Sequence, residues 1–513
     1  MADASDFRRS AYLLLTAVAV SIAAAKVVGA ENVFEPSRYT PPTKDAYSAS
    51  PPDPPRNWPA VRPDPSPMFG SNDKSRWATV RALVDDGTYV IGKRNFPDGG
   101  NPKAYRDEGI IADPQYKSLD VILRPLEPDD AGRSASKEFY STKPPIYATI
   151  LAGEYWLLKK AFGWSIVKDR WLVIPTILLT VNVLPFAIYL LLLSRLIEAT
   201  GKTDFGKLLA FIAACFGTFL TTFSGTLSNH LPAAFSVLFA VYPIVKAMAE
   251  SREPSPREYA VCGFFAAFAA TFDLPALALL AGLGVPLLLA NARRTLLYFA
   301  PAALIPIAAY FATNYAALGE LMPAYEKFGG PWYNFDGSHW AKRGTPLGKG
   351  IDFNDEPTSI YAFHLLLGHH GWFSLSPIFL LALGGLIGLG IRSASDVKNL
   401  FSRSGSPSAF TPPLFAALTL ALSLLVLVFY LTRTTSYNYG GFTSGPRWLF
   451  WLIPLWLLAI PAAADRVGSS RWGRGLCAVL LGFSVLSVFY PAWNPWRSPW
   501  IQQLLEFKGW LKY

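Results

Sequence analysis

Long apolar runs, many of them 17 residues or longer, recur along this chain, and the loops between them alternate between basic and nearly free of Lys and Arg. A run of that length is what a helix needs to cross the hydrocarbon of a bilayer, where a helix satisfies its own backbone groups. Eleven spans are expected: Tyr12–Gly29, Trp171–Ser194, Leu208–Phe223, Pro232–Met248, Tyr259–Thr271, Leu274–Ala290, Leu296–Leu318, Trp372–Ile391, Leu414–Leu431, Trp448–Ala464 and Leu476–Tyr490. The fold class is therefore an all-α polytopic membrane protein with a large first extracytoplasmic loop carrying interfacial helices. Only 16% of residues are charged, against about 25% in a soluble domain. The net charge of +10 sits mainly at the ends of apolar runs, where it sets topology rather than binding nucleic acid. Cys215, Cys262 and Cys477 each lie inside an apolar run and match neither a zinc spacing nor a disulfide framework.

The basic loops fix the orientation. Arg195/Lys202/Lys207, Lys246/Arg252/Arg257, Arg293/Arg294, Arg392/Lys398/Arg403 and Arg466/Arg471/Arg474 fall on one side, which the positive-inside rule places in the cytoplasm. The first run is expected to be a retained anchor; a signal peptide cleaved near Ala23-Ala24-Ala25 is the competing reading. Ile146–Phe162 is long enough to tempt assignment as a twelfth span, but that would invert every later loop. It also carries Glu154 at its centre, a costly charge at mid-bilayer, so a helix lying at the membrane surface fits better. The chain then divides into an anchor (1–29), a first outer loop (30–170), a transmembrane core (171–318), a long outer loop (319–371), C-terminal spans (372–490) and an outer tail (491–513). The Pro-rich stretch Pro36–Pro67 is expected to be extended, and Trp493, Trp496 and Trp500 suit an interfacial belt.

All five histidines fall on the outer side of this topology, so a site, if there is one, faces out. In the segment from Ser71 to Gly87, Ser71 or Asn72 can cap a short helix, and Gly87 can end it in the left-handed conformation. Asp73 sits in the first turn, where it either complements the helix dipole or does chemistry beside Arg76. Lys143 precedes Pro144-Pro145, which fix the start of the next helix. There it is either a membrane-anchoring lysine or, with Tyr140 nearby, part of an anion site at headgroup depth. Arg447 stands at the outer mouth of a late span, against the positive-inside trend, which points to an anionic partner. Asn229 and His230 mark a second helix mouth. His364 and His369 are not spaced i, i+4, so they do not read as a helical metal pair; His369 and His370 are taken as hydrogen-bonding, candidate substrate-binding residues.

Three of these features resemble, in order, the polytopic glycosyltransferases of the GT-C fold, whose members include protein O-mannosyltransferases and the aminoarabinose transferase of lipid A. The acidic motif of their first outer loop looks like Asp73–Tyr89, the Lys-Pro-Pro motif looks like Lys143-Pro144-Pro145 followed by Phe162-Gly163, and Gly445-Pro446-Arg447 is similar to late-span starts in bacterial members. The resemblance implies a polyprenyl-phosphate-linked sugar donor, a protein, lipid or polysaccharide acceptor, and contact with membrane lipid. It makes Asp73 the catalytic base and Arg76 and Lys143 donor-phosphate ligands; Arg447, from its place at a helix mouth, is added as a donor-phosphate ligand, and Asn229, His230, Tyr140, His369 and His370 are the substrate-binding candidates. In a bacterium the chain would lie in the inner membrane with its site facing the periplasm. The sequence departs from the family in three places: Lys74 replaces the second carboxylate of the acidic motif, Thr142 stands where some members place a metal-binding Glu, and the insertion between Gly92 and Lys137 is long. No metal ligand is assigned, and a divalent metal stays open as a cofactor. One carboxylate with two or three cations suffices for an inverting displacement, with no second carboxylate as nucleophile. A lipid-linked-saccharide flippase, a non-catalytic envelope assembly protein and a transferase using a lipid-diphosphate donor are the alternatives. A flippase requires polar residues inside spans, for which Asn182 and Asp273 are the candidates.

Overall fold

The computed structural model describes residues 4–32, 64–96, 105–125, 136–345, 351–353, 356–396, 398, 410–432 and 438–511. Most of the Pro-rich stretch lies outside them. The chain divides into two compact units. A helical unit comprises Met1–Val27, Leu178–Ala312 and Lys342–Tyr513, and a second unit comprises Val28–Ile177 and Thr313–Ala341.

Among the described residues, seven helices are long and apolar enough to cross a membrane: Ser5–Val28, Arg170–Thr200, Asp204–Phe223, His230–Ala249, Ala292–Leu318, Pro412–Leu431 and Arg471–Phe489. An eighth follows if Arg447–Leu457 and Ile460–Val467, which meet at a 59° bend, count as one span. The expected eleven are therefore seven or eight by length and composition. The remaining three runs form shorter helices: Pro256–Phe272, Leu274–Ala290 and Phe379–Gly390. These are the helices of a multi-pass membrane protein.

Within the helical unit the breaks are filled by polar side chains. After Phe223 the chain leaves helical geometry until His230, which leaves backbone carbonyls in need of donors. Lys26, at the end of α1 (Ala4–Val28), donates to the carbonyls of Thr221 and Thr222 at 2.8 and 2.7 Å. Asn182 lies in a π-helical turn, Leu179–Val183, and donates to the carbonyls of Ser224 and Thr226 at 2.9 and 3.0 Å. At the other end of α1, Arg8 pairs with Glu198 and Asp204, both at 2.6 Å.

The second unit corrects the all-α expectation. It contains a four-stranded antiparallel sheet of β1 (Gly92–Asn95), β2 (Arg106–Glu108), β3 (Val121–Pro125) and β4 (Ser136–Ser141), in the order β2-β1-β4-β3. The long insertion between Gly92 and Lys137 supplies most of it. Gly92 faces Phe139 and Leu123 faces Phe139 from the other side, which puts β4 between β1 and β3. Ile122 and Tyr140 bury a core with Ala317, Leu318, Ala324 and Tyr333. The Leu123 N–H donates to the Trp332 carbonyl at 3.0 Å, partnering a group on edge strand β3 that would otherwise be open. Arg94 ties the sheet together: it grips Asp107 with two nitrogens at 2.7 and 2.8 Å, donates to the Asp336 carbonyl at 2.7 Å, and lies 3.6 Å over the Tyr105 ring. Such a bidentate pair sets geometry as well as energy.

Two helices flank this sheet-bearing unit's candidate site. α2 (Ser71–Arg81) continues as a π-helical turn to Asp86 and ends at Gly87, whose φ of 69° is the expected left-handed cap. Its N-cap is Gly70, with no side-chain cap, so neither Ser71 nor Asn72 plays the expected role. α3 (Pro145–Phe162) starts at Pro145 and ends at the left-handed Gly163. It buries Ile146, Tyr147, Leu151 and Tyr155 and exposes Ile150, Trp156, Leu157 and Phe162, the two-faced distribution expected of a helix at a membrane surface.

Candidate functional site

The sheet-bearing unit brings two of the expected phosphate-binding cations to one pocket. Arg76 and Lys143 line it with Thr79, Tyr89, Tyr140 and Ser141, over an apolar floor that includes Pro144, Pro145, Ala148, Ala317 and Leu318. Helix periodicity explains the first wall: Arg76 and Thr79 are three residues apart on α2 and share a face. The end of β4 supplies Tyr140 and Ser141, and the turn from it into α3 supplies Lys143. Arg76 and Lys143 thus border one largely apolar cavity, while Thr79, Tyr140 and Ser141 donate their hydroxyls to the Ser75 carbonyl, Glu138 and Ser75 Oγ.

Each cation is held in place. Arg76 is buried and its Nη1 donates to the Asn72 carbonyl at 3.1 Å and to the Asn72 side-chain oxygen. Lys143 Nζ sits 2.9 Å from Asp120 Oδ1, and Asp120 is itself buried. Asp120 is a functional candidate the sequence reading missed; it lies in the insertion, and no local spacing links it to Lys143. Tyr140 donates to Glu138 at 2.7 Å, and burial together with that carboxylate pushes its phenol well above the ordinary range, so it stays protonated.

Asp73 lies one turn before Arg76 on α2, outside the pocket lining. It is 1% exposed, and its Oδ2 accepts the Phe69 N–H at 3.0 Å. That bond ties the chain just ahead of the helix to its first turn. Burial pulls the neighbouring Lys74 ammonium down to about 8, with the charges of Asp73 and Asp113 opposing the shift.

Arg447, Asn229, His230, His369 and His370 belong to the helical unit. Arg447 is buried, donates from Nε and Nη2 to the Gly440 carbonyl at 3.0 and 2.6 Å, and packs 4.8 Å over the Trp496 ring. His230 Nδ1 is 2.9 Å from Asp273 Oδ2, and Asn229 donates to Asp273 Oδ1 at 3.0 Å and to the Phe272 carbonyl at 2.9 Å. The two residues a flippase would need, Asn182 and Asp273, are thus engaged in local hydrogen bonding.

His369 and His370 are buried with their Nδ1 atoms 2.6 Å apart, and His370 Nε2 reaches the Thr443 carbonyl at 3.1 Å. Burial pushes both imidazoles down, His370 to about 3, so both are neutral.

No family model matches the chain, and no curated protein matches it. Among solved structures it is similar to the apo form of the oligosaccharyltransferase of Archaeoglobus fulgidus, at 11% identity and a TM-score of 0.44, over 96% of this chain and 57% of that one. The chain thus spans less than two thirds of that protein, and so remote a likeness assigns neither an activity nor a residue.

Proposed function

We propose that the chain is a membrane glycosyltransferase of the GT-C type, which moves a sugar from a polyprenyl-phosphate donor to an acceptor hydroxyl on the extracytoplasmic face. The observation that carries this reading is the pocket in which Arg76 and Lys143 converge with Thr79, Tyr89, Tyr140 and Ser141 over an apolar floor. The leaving polyprenyl phosphate is already anionic, so its departure needs fixed positive charge rather than a general acid. Arg76 supplies charge that cannot be neutralised, and Lys143 a point charge that Asp120 holds in position. The apolar floor and the exposed apolar face of α3 suit the prenyl chain. Asp73 is assigned the base that takes the acceptor's proton as it attacks the anomeric carbon, and one such carboxylate predicts an inverted product. Retention of the donor's configuration would overturn that part.

The test is release of polyprenyl phosphate from a panel of polyprenyl-phosphate sugars by purified full-length protein in detergent, with membrane extract as acceptor. Asp73→Asn and Asp120→Asn run alongside, with and without a chelator. Release by wild type and its loss in Asp73→Asn support the assignment. Loss in Asp120→Asn alone moves the base to Asp120, and no release from any donor rejects the reading.

A further inference from the structure

In the helical unit, Glu356, His364 and His369 present one carboxylate oxygen and two imidazole nitrogens, all within 4.8 Å of one another. We infer that these three side chains form a binding site for a divalent metal of the zinc class, in a place neither the Asp73 motif nor the Lys-Pro-Pro motif indicates. The inference does not depend on the proposed transfer reaction.

The surrounding hydrogen bonds orient one of the ligand rings. A carbonyl only accepts, so His370 Nε2 donates to Thr443 at 3.1 Å, and His370 Nδ1 faces His369 Nδ1 across 2.6 Å. A ring nitrogen oriented this way by a bond from the other nitrogen is the usual arrangement behind a metal-bound histidine. Tyr439 donates its hydroxyl to Glu356 Oε2, which orients the carboxylate in the same way. The Tyr439 ring is itself stacked on His370 and on Tyr361, at 5.0 and 4.6 Å. It is held there at a φ of 54°, a backbone conformation that costs energy in a tyrosine and persists where the surroundings fix it.

His364 lies against the same rings. Its ring stacks on His369 at 4.0 Å, yet its Nδ1 is buried with no hydrogen-bond partner. An imidazole nitrogen without a partner is costly, and a metal ion is a partner this geometry offers. Gly368 makes the placement feasible, because a Cβ there would collide with His364 Nδ1. Bonds of about 2 Å put tetrahedral ligand atoms roughly 3.4 Å apart, so small side-chain rotations close the set. Two imidazoles and one carboxylate suit zinc and its neighbours rather than magnesium or calcium, which favour oxygen. The sequence reading set these histidines aside because His364 and His369 are five apart. The third ligand lies on the segment before the helix Thr358–Leu366, and the bend at Gly368 replaces the missing helical spacing.

The experiment uses full-length protein in detergent, stripped with a chelator and repurified. It is titrated with zinc against a chromogenic competing chelator, and with Co²⁺ followed by its visible absorption bands. Wild type is expected to take up one equivalent of either metal, with cobalt bands of nitrogen-ligated, low-coordinate type, and millimolar Mg²⁺ should not compete. His364→Ala and the near-isosteric Glu356→Gln should each weaken binding by at least about tenfold, while Asp73→Asn leaves it unchanged. Size-exclusion profiles identical to wild type confirm that Glu356→Gln is folded. Absence of uptake by wild type, displacement by Mg²⁺, or undiminished affinity in folded Glu356→Gln would each overturn the site. Metal binding is read without any sugar donor, so its failure and the failure of the transferase reading are separable.

Discussion

Both units bury charged and polar side chains, but they do so differently. In the sheet-bearing unit, Arg76 and Lys143 are steadied from behind by Asn72 and Asp120 and still line a cavity. In the helical unit, Arg447 donates to Gly440, His230 and Asn229 close on Asp273, and Asn182 bonds the carbonyls of a broken helix. Burial of a polar group is therefore a poor guide to chemistry by itself. Whether the donors converge on a space or on one another separates a candidate site from a packing device.

That contrast is open to direct attack. Asp73→Asn is expected to have the largest effect, lowering sugar transfer by about 10²–10⁴-fold in protein that remains folded; full activity in both Asp73→Asn and Asp120→Asn would remove the sheet-bearing unit's claim to the chemistry. Arg76→Ala or Lys143→Ala should lower transfer per folded molecule by about 10²-fold or more. Arg447→Ala should do the reverse, costing about 1.5–3 kcal/mol of stability from its lost charged hydrogen bonds, read as a lower unfolding temperature in detergent, while folded protein keeps its turnover. If Arg447→Ala instead abolishes transfer in stable protein, the division between the two regions fails. Asp273→Asn should cost about 1–3 kcal/mol by weakening the bonds to His230 and Asn229, read the same way.

A smaller effect concerns Lys74. Its pKa falls to about 8 in the fold, below the ordinary value near 10.4, so the unfolded chain binds more protons between those values. Stability should then rise as pH increases through that window. Lys74→Met should flatten the rise and stabilise the protein near pH 7; an unchanged pH profile would show that Lys74 is not buried as described.

The spanning helices were legible because apolar length is a local property, and Gly87 and Pro145 mark helix ends as their residue types dictate. The sheet was not. Its strands Gly-Lys-Arg-Asn and Arg-Asp-Glu are short and charged, lack a period-two apolar pattern, and gain their order from partners distant in sequence. The site was half legible for the same reason. Arg76 lies on the same helix as Asp73 and Lys143 sits beside its prolines, whereas Asp120 reaches Lys143 only through the sheet, and Glu356 reaches the histidines only through a turn.

The bonds from Lys26 to Thr221 and Thr222 cross 195 and 196 residues of chain. Synthesis delivers the first helix long before its acceptors exist. Until the third long apolar helix has emerged, the Lys26 ammonium must find other company at the membrane surface or in the insertion machinery. The first helix is thus made well before the segment that completes its bonding, and a chain halted before Thr221 would carry an exposed mark of its own incompleteness.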